Sequence, residues 1–130
     1  MNKDDAKRWL EYAEKDLGAA HALLESGEFF PRQICFLAQQ AAEKSIKAIL
    51  VYAEVDFPKT HDLDRLRDLI PAGWKFKELF PDLAELTIWS VESRYPGDTP
   101  DVVEGEAREI FHLAEAIFRS IKAELADELM

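Results

Sequence analysis

The chain has 130 residues, 48% of them hydrophobic, 32% charged and 11% aromatic, enough for one domain with a real core and too apolar for intrinsic disorder. The longest uninterrupted apolar run is Ala48–Ala53, far short of a membrane span, and the charged start MNKDDAKRWLEY lacks the apolar centre of a secretion signal. A net charge of −10 repels a phosphate backbone, so strong autonomous nucleic-acid binding is not expected. The single Cys35, between Ile34 and Phe36, reads as a small buried residue in a reducing cytoplasm, not as a catalytic thiol.

Residues 4–26 place Trp9, Ala13, Leu17, Ala20 and Leu24 at steps of three and four, one stripe of an amphipathic helix. Asp4 and Asp5 suit its positive end, and Gly27 stands where it should stop. Pro31 fits the first turn of a second helix running to about Glu54. That helix is apolar around much of its circumference, which predicts a central element with several neighbours. Thr60 or Asp62 then caps a short helix carrying Leu63, Leu66, Leu69 and Ile70, ended by Pro71-Ala72-Gly73. A further segment from Trp74 to about Glu92 is restarted or kinked at Pro81. After the turn Arg94–Pro100, the last helix shows Val102, Ile110, Leu113, Ile117, Ile121 and Leu125 on one face. No segment alternates with a period of two, so the predicted fold is all-α. It is a single domain over 1–130, an antiparallel up-and-down bundle of three long helices and two shorter ones, with an insertion before the last long helix.

Common phosphate-loop, dinucleotide and zinc-protease motifs are absent. A carboxylate-bridged di-metal bundle needs Glu-x-x-His on two helices, and only Glu109 and His112 supply one, so no metal or other cofactor is expected. Three local groups remain. In Gln39–Lys47, the residues Gln40, Glu43, Lys44 and Lys47 share one polar strip. Two lysines on a rigid helix suit a phosphate, and a solvated face with a weak Glu43–Lys47 pair is the simpler alternative. In Lys59-Thr60-His61-Asp62, His61 either hydrogen-bonds a ligand or packs a helix start. In Ser93–Asp98, Arg94 beside Tyr95 either grips an anion or ties the turn to helix carbonyls.

Taken together and in this order, these groups resemble the HEPN family, the higher-eukaryote and prokaryote nucleotide-binding domain. The likeness runs from Trp9-x-x-x-Ala13-x-x-Asp16-Leu17-x-x-Ala20 through Cys35-Phe36-x-x-Gln39-Gln40-Ala41-Ala42-Glu43-Lys44-x-x-Lys47-Ala48 and Thr60-His61-Asp62-Leu63 to Ser93-Arg94-Tyr95-Pro96. The resemblance implies a cytoplasmic helical bundle that commonly forms homodimers. It also implies frequent pairing with a minimal nucleotidyltransferase in toxin–antitoxin-like systems, and a nucleotide ligand. On that basis Lys44, Lys47, His61, Arg94 and Tyr95 form the expected nucleotide site of a non-catalytic binding module.

Other family members are metal-independent RNases that use Arg, four to six residues, then His, the histidine acting on the 2′-hydroxyl and the arginine on the phosphate. Here the closest pair is Arg108 and His112, with three residues between them, so the RNase reading stands as the alternative. A purely structural dimerisation module is the third.

Overall fold

A computed structural model describes residues 2–28, 30–90 and 104–129. Among them are six helices and no strand: α1 (Asn2–Glu25), α2 (Pro31–Tyr52), α3 (Leu63–Asp68), α4 (Lys75–Leu79), α5 (Ala84–Thr87) and α6 (Glu104–Leu129). The all-α expectation holds. Three long helices form the body, and the segment expected to kink at Pro81 is divided there into α4 and α5.

Small side chains bring α1 and α2 close together. Ala6, Ala13 and Ala20 of α1 and Ala38, Ala41, Ala42 and Ala48 of α2 are all fully buried. Gly27 takes φ +79 after α1, a conformation that suits a residue without Cβ, and Pro31 opens α2. The far end of α2 closes differently from a glycine stop. Glu54 stands at φ +59 while the Glu54 and Val55 amides return to the Val51 and Leu50 carbonyls, which is a Schellman closure with glutamate at the left-handed position.

α2 is the spine, packing on α1, α6, α3 and α5. Its Ile46, Ile49 and Leu50 meet a fully buried set drawn from every other part of the fold, including Leu63, Leu66, Phe76, Leu86, Ile117 and Leu125. Lys44 of α2 reaches Asp16 of α1 and Lys47 reaches Trp9, so these helices are antiparallel. Likewise Phe111 of α6 meets His21 of α1, and Lys122 meets Glu14. Tyr52 and Glu128, near the ends of α2 and α6, lie side by side. α2 and α6 therefore share one direction, opposed to α1.

That connection is organised by charged residues at helix ends. Asp62 caps α3 by accepting from the Arg65 amide at 3.2 Å. Arg67, almost wholly buried, donates to Asp64 at 2.6 Å and to the Phe80 carbonyl at 2.9 Å. Asp64 also accepts from the Leu83 amide at 2.9 Å, which pins the α4–α5 junction to α3. α4 has no side-chain cap of its own; Glu124 of α6 accepts from the Lys75 and Phe76 amides, both at 2.7 Å.

Candidate functional site

The polar strip of α2 and the turn before α3 meet. Glu43, near the middle of α2, is only 5% exposed, and its carboxylate is the centre of the meeting. A charge removed from water in this way is tolerable only with partners on its oxygens. Oε1 accepts from Gln39 Nε2 at 3.1 Å and lies 2.8 Å from His61 Nδ1, while Oε2 accepts from Lys47 Nζ at 2.9 Å. Gln39 Nε2 also reaches the His61 carbonyl at 3.5 Å, and Gln40 Nε2 donates to Gln39 Oε1 at 2.8 Å. The turn is thus held on α2 through both the ring and the backbone of His61.

Burial pushes the Glu43 carboxyl up. The hydrogen bonds from His61 and Lys47, the Lys47 charge and the Gln39 hydrogen bond together outweigh it, and the pKa falls below its ordinary 4.5. Glu43 is therefore an acceptor-only carboxylate at neutral pH, so all three groups on it are donors. For His61 this settles the tautomer: Nδ1 carries a proton. Nε2 has no partner among the described residues, and the side chain is 33% exposed.

Lys47 is enclosed, with its side chain 14% exposed. Its ammonium stands 5.3 Å from the centre of the Phe57 ring and 5.7 Å from that of Trp9, so two aromatic rings share the cation with Glu43. Trp9 also walls an open groove of ≈ 330 Å³ with Asp5, Arg8, Tyr12 and Val51. Lys44 lies one residue beyond Glu43, facing α1, where it pairs with Asp16 at 2.6 Å.

These positions correct the simpler alternative for the strip. It is not a solvated face with a weak pair, because chain from two other parts of the sequence covers Glu43 and Lys47. Lys47 and His61 are brought together on Glu43, Lys44 turns to Asp16 on the α1 side, and Arg94 and Tyr95 lie outside the described residues. Arg108 and His112 sit one turn apart on the exposed side of α6. His112 pairs with Glu115 at 3.7 Å and rests against Phe111, without joining the Glu43 network. Trp9 and Phe57 were not read as site residues. Trp9 looked like one more member of the α1 stripe, and Phe57 gave no periodic signal at all.

Among the described residues no cluster of His, Cys, Asp or Glu could hold a metal ion, and no helix is long and apolar enough to cross a membrane.

Comparison with known proteins agrees with this architecture. The crystal structure of TT1696 from Thermus thermophilus superposes with a TM-score of 0.74 at 27% identity, covering 95% of this chain and 98% of that one. The archaeal HEPN homologue ST0689 superposes with a TM-score of 0.66 at 23% identity, covering 92% and 97% respectively. No curated protein matches the chain. The HEPN domain family model matches residues 6–124, nearly the whole bundle, and the chain belongs to the HEPN domain family.

Proposed function

We propose that this HEPN protein is a non-catalytic binding module whose ligand is a nucleotide, at a site built by Lys44, Lys47, His61, Arg94 and Tyr95. The observation that carries the reading is the buried Glu43 carboxylate. A bundle of this size gains nothing in core packing from an ion at that position, and replacing such a pair by apolar residues commonly leaves stability unchanged or higher. What the ion does is hold an imidazole and an ammonium in fixed places, the ammonium over the Trp9 ring that walls an open groove. Lys44 and Arg94 are assigned to phosphate, and Tyr95 to stacking on the base. Lys47 acts from behind, holding Glu43 ionised.

Calorimetry against mono- and triphosphates tests this. Binding that weakens with salt, and that falls several-fold in both Lys44→Ala and Arg94→Ala, is the expected result. No binding at millimolar nucleotide overturns it. A homodimer and a nucleotidyltransferase partner in a toxin–antitoxin-like pair belong to the same proposal. Sedimentation equilibrium and co-purification with a co-expressed neighbouring nucleotidyltransferase test these separately.

The RNase reading keeps one observation in its favour, the exposed Arg108–His112 pair one helical turn apart on α6. Acid–base cleavage also needs a low-repulsion approach for RNA, and Glu106, Glu109 and Glu115 surround this pair. The expected result is no cleavage of structured or unstructured RNA. Cleavage lost in His112→Ala reverses the order of the two readings.

A further inference from the structure

We infer that His61 reads the ribose of the bound nucleotide, accepting a hydrogen bond from a sugar hydroxyl at Nε2, and that Glu43 is the positioning residue that makes this possible. The inference rests on the reading of this region as the nucleotide site and goes beyond it by naming the group recognised and the atom that recognises it.

Donor and acceptor capacity fix where the proton sits. Glu43 offers only acceptors, so the 2.8 Å contact places the proton of a neutral His61 on Nδ1. The same ring then presents a bare lone pair at Nε2. No described residue meets that atom, although the side chain is two-thirds buried and its turn is held by the Gln39 contact to the His61 carbonyl. A fixed, part-exposed ring with a free acceptor is open to water and to a ligand that brings a hydrogen-bond donor.

Charge narrows the class further. Lys47 is paired with Glu43 at 2.9 Å, so the cation that shares this carboxylate with the ring is already balanced. A phosphate oxygen at Nε2 would face the lone pair of a neutral imidazole. A hydroxyl donates to it without any change of protonation. Nucleotides carry donors on the base and on the ribose, and the ribose hydroxyls are common to all four ribonucleotides. Their removal leaves the acceptor at Nε2 unpaired, which is the arrangement that discriminates strongly against an analogue lacking the group.

Two measurements test this, chosen so that each fails on its own. Nitrogen NMR of the imidazoles at about pH 8, above the ordinary histidine range, reads the tautomer directly. The expected pattern for His61 is protonated Nδ1 and bare Nε2, shifting towards mixed tautomers in Glu43→Gln. In parallel, calorimetry compares ATP with its 2′-deoxy, 3′-deoxy and 2′,3′-dideoxy forms. The dideoxy compound should bind about tenfold more weakly than ATP, and one of the two monodeoxy forms should account for the loss. In His61→Ala, ATP should fall to the dideoxy level while the dideoxy compound is unaffected.

A proton on Nε2, or equal binding of ATP and its dideoxy form, overturns the inference and leaves the nucleotide site standing. Failure of all four compounds to bind overturns the nucleotide reading and the ribose reading with it, while the tautomer still judges the geometry. If Glu43→Gln does not fold, the wild-type tautomer and the His61→Ala panel decide alone.

Discussion

Removing the Lys47 charge should expose how much the fold depends on the pair it makes. Lys47 and Glu43 side chains are 14% and 6% exposed and their charged atoms are 2.9 Å apart. At an effective dielectric of about 20 the attraction is about 6 kcal/mol, set against a desolvation cost of several kcal/mol for each ion. The pair is therefore near balance as a unit, and costly to break from one side. Lys47→Met keeps most of the packing against Trp9 and Phe57 but leaves a buried carboxylate with only His61 and Gln39 as donors. The expected loss is about 3 kcal/mol, a large part of the total stability of a domain this long. Glu43→Gln keeps the shape and strands the ammonium, with a loss of about the same size. The double variant restores neutrality, so its loss should be smaller than the sum of the singles by at least about 2 kcal/mol. Urea unfolding of the four proteins, with equal slopes, measures this coupling. Losses that add to within about 0.5 kcal/mol would show that the pair behaves as a solvated one and would refute the reasoning.

Three further outcomes follow from the same structure. The Glu43 pKa lies below 4.5 in the folded chain, so the unfolded chain takes up the proton first on acidification. This contribution to stability is fully present above the unfolded value and is lost as pH falls through the folded one, and Lys47→Met should move that loss to higher pH in urea titrations. Burial, with a smaller effect from Glu106, pushes the Cys35 thiol up to about 12, so a disulfide reagent at mildly alkaline pH should modify the urea-unfolded chain and leave the native one untouched. Arg67→Met leaves Asp64 and the Phe80 carbonyl without their buried donor and should cost about 3 kcal/mol, most visibly as faster amide exchange in α3 and α5.

How far the sequence carried can be judged at particular residues. The α1 stripe was legible because its period is local: Ala13, Leu17, Ala20 and Leu24 are buried where the steps of three and four place them. The breadth of apolar surface on α2 likewise announced a helix with several neighbours, and Asp62 caps α3 as one of the two expected candidates. Glu43 was not legible as a buried ion. Periodicity says which residues share a strip and nothing about what lies on top of it, and the cover here comes from Trp9 far upstream and from residues 57–61. The end of α2 falls at Tyr52, within two residues of the expected Glu54, but the way it closes was hidden for a different reason. Chain-stop signals are read from glycine and proline, and Glu54 takes the left-handed conformation without either. The shared direction of α2 and α6 was beyond local pattern too, since residues 53–103 are long enough to return the chain to either end. Of the expected nucleotide site, Lys47 and His61 could be read only as members of two separate stretches; what joins them is the Glu43 carboxylate, which looked like surface, while Lys44 turns to Asp16.

The cap on α4 gives the bundle a temporal order. The two amides that open that helix are satisfied by Glu124, which lies more than forty residues later in α6. During synthesis, α1 and α2 emerge early and can form their hairpin at once. The Lys75–Leu79 turn emerges next, too short to persist by itself and lacking any cap of its own. It must wait, hydrated and fraying, until the last helix clears the ribosome and swings Glu124 into place. A chain stopped before Glu124 would hold a finished hairpin beside an uncapped α4.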